Sequence, residues 1–157
     1  MCRVRLGRHD ELDRKAAARE RAAGKVTGLG LNSPVPVRIL VVDDAATIRD
    51  VCADLIRDLG YEVNVVADAA EALVRLREDR FHAVVTDIVM PGMDGWQLIA
   101  AAIHAQPMLR LVAMTGANVE GDRDRAVALG VPLLQKPFTR VELRDALHEA
   151  LTSFRRP

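Results

Sequence analysis

Five positions in this sequence carry side chains that could do chemistry together: the adjacent pair Asp43-Asp44, then Asp87, Thr115 and Lys136. Each follows a short apolar run: 39–42 before the pair, 83–86 before Asp87, 109–114 before Thr115 and 131–134 before Lys136. If these runs are strands of one parallel sheet, all five residues reach the same carboxyl edge. A lone Asp there is commonly a helix cap, a lone Thr a strand-end hydroxyl and a lone Lys a surface residue. Three carboxylates on one cleft are different, because like charges a few ångströms apart repel and raise each other's pKa. A cation keeps such a group ionised. All-oxygen ligands select Mg²⁺, Mn²⁺ or Ca²⁺. The ligands are too few for a closed Ca²⁺ cage and no EF-hand loop is present, so Mg²⁺ keeping several waters fits best. A carboxylate beside Mg²⁺ can act as nucleophile toward a phosphoryl donor. The metal and an ammonium group would then neutralise charge on the equatorial oxygens of an in-line transition state.

The elements that must position these residues alternate regularly from Arg38 onward. Strand 39–42 is followed by a helix over 46–59, with Ile48, Val51, Cys52, Leu55 and Leu59 at helical spacing and Gly60 where a C′ glycine belongs. Strand 62–66 precedes a capping box, Asp68 with Glu71, and a helix carrying Leu73 and Leu76. Strand 83–86 leads to Asp87; Asp94 with Gln97 then caps a helix containing Leu98, Ile99 and Ile103. Strand 109–114 is followed by a weakly patterned helix over 122–129 that stops at Gly130. Strand 131–134 is interrupted by Pro132, which marks an edge. Thr139 with Glu142 caps a last helix with Leu143, Ala146, Leu147, Ala150 and Leu151 on one face. Near-continuous Val/Ile/Leu strands between amphipathic helices predict an α/β fold, a doubly wound five-stranded parallel sheet with helices on both faces.

The length of 157 residues suits one ordinary domain, and the 50 % hydrophobic content supports a sizeable core. The net charge of zero conceals an asymmetry. Residues 1–38 carry nine Lys/Arg against four Asp/Glu, a balance of +5, and the remainder 13 against 18, a balance of −5. The acidic main body is unsuited to a phosphate backbone. Residues 1–36 read as a basic, disordered extension, with a marginal helix over 10–23 and a closing Asn32-Ser33-Pro34-Val35-Pro36. Two cysteines, Cys2 and Cys52, imply no disulfide framework, and Cys52 falls on an apolar helical face as a small core residue. No apolar run is long enough to span a bilayer and no apolar segment follows Arg3, Arg5 and Arg8, so a cytoplasmic location is expected. His82 and His104 lack partners at ligand spacing, His9 and His148 read as surface residues, and Met90, Met93 and Trp96 read as packing.

Val41-Val42-Asp43-Asp44, Asp87-Ile88-Val89-Met90-Pro91-Gly92-Met93-Asp94-Gly95, Met114-Thr115-Gly116 and Lys136-Pro137-Phe138 together resemble the receiver domain of two-component response regulators, over about residues 38–153. The resemblance implies a flavodoxin-like (βα)5 sheet within a receiver unit over 37–157. It implies Asp87 as the phosphoacceptor. It implies Asp44 as a direct Mg²⁺ ligand, with Asp43 helping through water or a Lys136 contact and the Val89 backbone carbonyl as a further ligand. Thr115 would hydrogen-bond a phosphoryl oxygen and Lys136 would pair with the group, its bond to Pro137 being cis. Implied partners are a sensor histidine kinase or histidine phosphotransfer protein and a downstream protein target. The main domain would bind neither nucleic acid nor membrane, and the chain would be a monomer or weak dimer.

Leu133 stands where many receivers have an aromatic residue that reports phosphorylation, and the Gly130–Lys136 loop is about one residue short. Val89 and Ala117, two residues after Asp87 and Thr115, cannot orient an attacking water, so slow to moderate self-hydrolysis is expected. No output domain is read after the fifth helix, which predicts a stand-alone regulator acting by docking, not a turnover enzyme. An Asp-nucleophile phosphohydrolase would need a second Asp where Val89 stands. A phosphorylation-independent adaptor, and a nucleic-acid binder acting through the basic arm, are the remaining alternatives.

Overall fold

Short β-branched runs flanked by capped helices leave the chain few ways to bury its apolar surface. The computed structural model describes residues 35–116 and 121–153. The basic extension expected over 1–36, apart from Val35 and Pro36, and Ala117 lie outside the described residues. The elements are β1 (Arg38–Val42), α1 (Ala46–Asp58), β2 (Glu62–Val66), α2 (Ala69–Glu78), β3 (Ala83–Asp87), α3 (Gly95–Ala105), β4 (Arg110–Thr115), α4 (Asp122–Leu129), β5 (Leu133–Gln135) and α5 (Arg140–Thr152). The strands form one parallel sheet in the order β2-β1-β3-β4-β5. This is the predicted doubly wound, flavodoxin-like architecture.

Alternate residues of the inner strands feed two cores. Leu40, Val42, Val84, Leu111 and Ala113 face α2, α3 and α4, where Leu76, Leu98, Ile99 and Ala126 pack. Ile39, Val41, Val85, Val112 and Met114 face α1 and α5, against Cys52, Ile56, Leu143 and Leu147. Each fully buried aliphatic side chain of this kind stabilises the fold by about 1.5–3 kcal/mol. The edge strand β2 is different, with Glu62, Asn64 and Val65 exposed.

Local signals set the helix limits. Asp94 with Gln97 and Thr139 with Glu142 form complete capping boxes, whereas Asp68 accepts from the Glu71 N–H. Gly60, at φ +90°, ends α1: its N–H donates to the Arg57 carbonyl and that of Tyr61 to Ile56. Two expectations are corrected. Val51 is 49 % exposed, and Ala53 and Ile56 take the core-facing places on α1. Strand β5 begins at Leu133 rather than 131 and lies at the sheet edge, because Pro132 has no N–H to donate, although its carbonyl accepts from Ala113 at 2.9 Å.

Candidate functional site

Strand register brings the predicted residues to one edge. Val42 pairs with Thr86, so Asp43, the next residue, is level with Asp87 on the neighbouring strand. Asp87 pairs with Met114, and Thr115 with Gln135, which puts Thr115 and Lys136 one step further along the same edge. Ligand oxygens of Asp43, Asp44 and Asp87 lie within 4.8 Å of one another. Asp43 and Asp87 are buried, Asp44 is exposed, and Thr115 is buried beside them. Lys136 Nζ stands 2.6 Å from Asp43 Oδ2 and 3.2 Å from Asp87 Oδ1. The Lys136–Pro137 peptide is cis.

The backbone around these groups is tightly held. Asp43 Oδ1 accepts from the Ala45 N–H at 2.9 Å, so both oxygens of this carboxylate have donors. Arg49 Nη1 donates to the carbonyls of Asp43 and Asp44 at 2.6 and 2.9 Å, tying α1 to the acidic turn. The Ile88 N–H donates to the Met114 carbonyl and the Lys136 N–H to the Thr115 carbonyl, which join the ends of β3, β4 and β5. Thr86 Oγ donates to the Asp87 carbonyl at 2.9 Å.

Electrostatics follow from this packing. Burial pushes the Asp87 carboxyl above its ordinary range; the Asp43 charge adds to the rise and the Lys136 ammonium opposes it. Burial works to lower the Lys136 ammonium, but its hydrogen bonds and charges with Asp43 and Asp87 outweigh it and the net shift is upward. Three carboxyl groups face one ammonium, a formal excess of two negative charges with all of them ionised. An all-oxygen donor set with that excess fits a hard divalent cation. The residues present therefore suit Mg²⁺, with Asp44 the most accessible donor.

Val89 follows Asp87 in the β3–α3 loop and is 61 % exposed. His82 is exposed and its Nδ1 accepts from the Arg38 N–H at 3.0 Å, at the opposite end of the sheet. Cys52 is a core residue as read; burial first, then the Asp43 charge, push its thiol up to about 11 against the opposing pull of Lys136. Met93 is 37 % exposed rather than packed. Two roles are additional to the sequence reading. Gly95 closes on the end of β3: a Cβ there would lie 2.1 Å from the Asp87 carbonyl oxygen and 2.7 Å from Ile88 Cα. Trp96 is buried and its Nε1–H donates to Asp122 Oδ1 at 2.8 Å. The glycine directly inside the Asp94 cap was the available signal for the first; nothing local marked the second.

A family model described as the response regulator receiver domain matches residues 39–148. The response regulator receiver protein CpdR of Brucella abortus is 35 % identical over 113 residues, covering 71 % of this chain and 92 % of that protein. The chemotaxis protein CheY of Pseudomonas aeruginosa is 35 % identical over 118 residues, covering 72 % of this chain and 94 % of that protein. Among solved structures, the chemotaxis protein CheY4 of Vibrio cholerae superposes with a TM-score of 0.68 at 28 % identity, covering 74 % of this chain and 100 % of that one.

Proposed function

Because the chain belongs to the response regulator receiver domain family of two-component signalling, we propose that Asp87 accepts a phosphoryl group from a histidine kinase or histidine phosphotransfer protein and that the modified chain signals by docking to a downstream protein. The observation that carries this reading is the placement of a buried carboxylate, Asp87, between an acidic pair and the Lys136 ammonium at one sheet edge.

An Asp87 Oδ attacks phosphorus, the phosphorus–nitrogen bond of the donor breaks, and the electron pair leaves with the imidazole. Lys136, already 3.2 Å from Asp87 Oδ1, turns from carboxylate to phosphoryl oxygen. The Thr115 hydroxyl donates to another phosphoryl oxygen. Asp44, Asp87 and the Val89 carbonyl would hold Mg²⁺, with Asp43 helping through water or its Lys136 contact. Once bound, the ion would neutralise charge on the equatorial oxygens. The acyl phosphate is later lost to water at a slow to moderate rate, since Val89 offers no group to orient that water. The chain is thus a switch rather than a turnover enzyme.

No helix among the described residues is long and apolar enough to cross a membrane, and a cytoplasmic setting is the one that supplies a kinase partner. The family match begins at residue 39, which supports reading the basic stretch over 1–36 as separate from the receiver unit.

The test is incubation with acetyl phosphate, with and without Mg²⁺, and weighing of the intact chain beside Asp87→Asn. A gain of one phosphoryl group that needs Mg²⁺ and Asp87 is expected. No gain from acetyl phosphate or from a phosphohistidine donor would sink the proposal and favour a phosphorylation-independent adaptor.

A further inference from the structure

The turn between β1 and α1 carries two of the three clustered carboxyl groups, Asp43 and Asp44, and one residue of α1 holds it. Arg49 Nη1 donates to the Asp43 carbonyl at 2.6 Å and to the Asp44 carbonyl at 2.9 Å. The Arg49 N–H donates to the Ala45 carbonyl at 3.1 Å. Consecutive carbonyls from 43 to 45 therefore accept from a single residue. Among the described residues the Asp44 carbonyl has no other donor.

Helix capping does not explain this brace. Side-chain caps from Asp68, Asp94 and Thr139 start α2, α3 and α5. Ala45 starts α1 with no side-chain cap, and the first turn holds no acidic residue. Asp43 Oδ1 takes the Ala45 N–H instead. A guanidinium turned back toward a helix N-terminus also stands against the helix dipole, which favours anions there. The helix itself gains little from a cation in this place.

The choice of acceptor is informative. Arginine beside an acidic pair commonly makes a forked contact with a carboxylate. Here Lys136 pairs with the carboxylates of Asp43 and Asp87, while Arg49 binds the backbone that carries the acidic pair. The side-chain oxygens of Asp43 and Asp44 stay gathered with that of Asp87, all within 4.8 Å. Asp44 is exposed, so its direction depends on its backbone more than on burial.

We infer that Arg49 is a positioning residue for the divalent cation: by holding the Asp43 and Asp44 carbonyls it keeps the Asp44 carboxylate in the cluster without occupying a ligand oxygen. The inference rests on the reading of this cluster as a Mg²⁺ site that serves phosphorylation of Asp87. Residues that orient metal ligands without touching the metal change its affinity by about 10–100-fold when removed. Charge acts the other way. A guanidinium beside the cluster repels a divalent cation, so deleting it would tighten binding if charge were its main effect. The sign of the change separates the two.

Isothermal titration calorimetry of Mg²⁺ into the full chain tests it, with wild type beside Arg49→Met and Arg49→Lys. Both substitutions keep the aliphatic stem at a part-buried position, and urea unfolding in EDTA checks that each variant is folded. Arg49→Met should bind Mg²⁺ roughly tenfold more weakly. Arg49→Lys, which restores a charged donor, should fall between Arg49→Met and wild type. Phosphoryl uptake from acetyl phosphate gives a second readout. In Arg49→Met the Mg²⁺ concentration for half-maximal rate should rise roughly tenfold, while the rate at saturating Mg²⁺ stays within about twofold of wild type. An unchanged or tighter Mg²⁺ Kd in Arg49→Met, even with a lowered unfolding midpoint, overturns the inference. So does an Arg49→Lys that binds no better than Arg49→Met, or a rate that stays depressed at saturating Mg²⁺. A wild type that binds no Mg²⁺ overturns it together with the metal reading. A wild type that binds Mg²⁺ but takes no phosphoryl group defeats the proposed function alone, and the calorimetric comparison still decides the role of Arg49.

Discussion

Lys136 Nζ lies 2.6 Å from Asp43 Oδ2 across a sequence separation of 93 residues. Strands β3 and β4 stand between β1 and β5 in the sheet, so the ammonium reaches over the whole active edge and passes Asp87 at 3.2 Å on the way. The pair fastens the last strand to the first and keeps a cation beside Asp87.

Removal of that cation should therefore cost both stability and activity. Lys136→Met leaves the buried Asp43 and Asp87 carboxylates facing each other. In EDTA the loss should be roughly 2–3 kcal/mol, below that of a fully buried pair because the Lys136 side chain keeps 17 % exposure. Urea unfolding measures it. Phosphoryl uptake from acetyl phosphate should fall at least tenfold in the same variant.

Asp44 is the exposed member of the cluster, so its charge matters to the metal more than to the fold. Mg²⁺ at ten times its Kd should stabilise the wild type by about 1.4 kcal/mol. Asp44→Asn should lose that increment while its stability in EDTA stays within about 0.5 kcal/mol of wild type or rises. Thermal melts at stepped Mg²⁺ concentrations separate the two effects.

Gly95 and Gly116 both flank the site, and only one has room for a side chain. A Cβ at 95 would meet Asp87 and Ile88 backbone, whereas at 116 nothing among the described residues lies within 4 Å. Gly95→Ala should cost about 3 kcal/mol, at the upper end for overpacking because backbone must move. Its phosphoryl uptake should drop as the Asp87 carbonyl is displaced. Gly116→Ala should unfold within about 0.5 kcal/mol of wild type.

The raised pKa of Asp87 gives a signed pH dependence. Burial is the main cause, so the folded chain holds this proton more tightly than the unfolded chain, whose value is near 3.8. Without metal, stability attributable to Asp87 is highest below 3.8 and declines as pH rises through the folded pKa. Asp87→Asn should accordingly be more stable than wild type at neutral pH in EDTA, and the gap should close as pH falls toward 3.8. Denaturation midpoints taken across that range test the sign; a gap that widens on acidification would contradict it.

What the sequence determined by itself is local or periodic. The capping boxes at Asp94/Gln97 and Thr139/Glu142, the glycines ending α1 and α4, and the apolar runs of the inner strands each depend on residues within a few positions of one another. From these the alternation of strand and helix follows, and with it the carboxyl edge where Asp43, Asp44, Asp87, Thr115 and Lys136 gather. The strand order came from motif resemblance, because periodicity says which residues are buried and not which strand pairs with which. Only the tertiary structure decided the rest. The outward turn of Val51 depends on how α1 lies against the sheet, and the late start of β5 on where Pro132 meets β4. The bond from Trp96 to Asp122 joins elements distant in sequence, 26 residues apart. No spacing rule encodes such pairs, since they exist only once both helices have packed on the same face of the sheet.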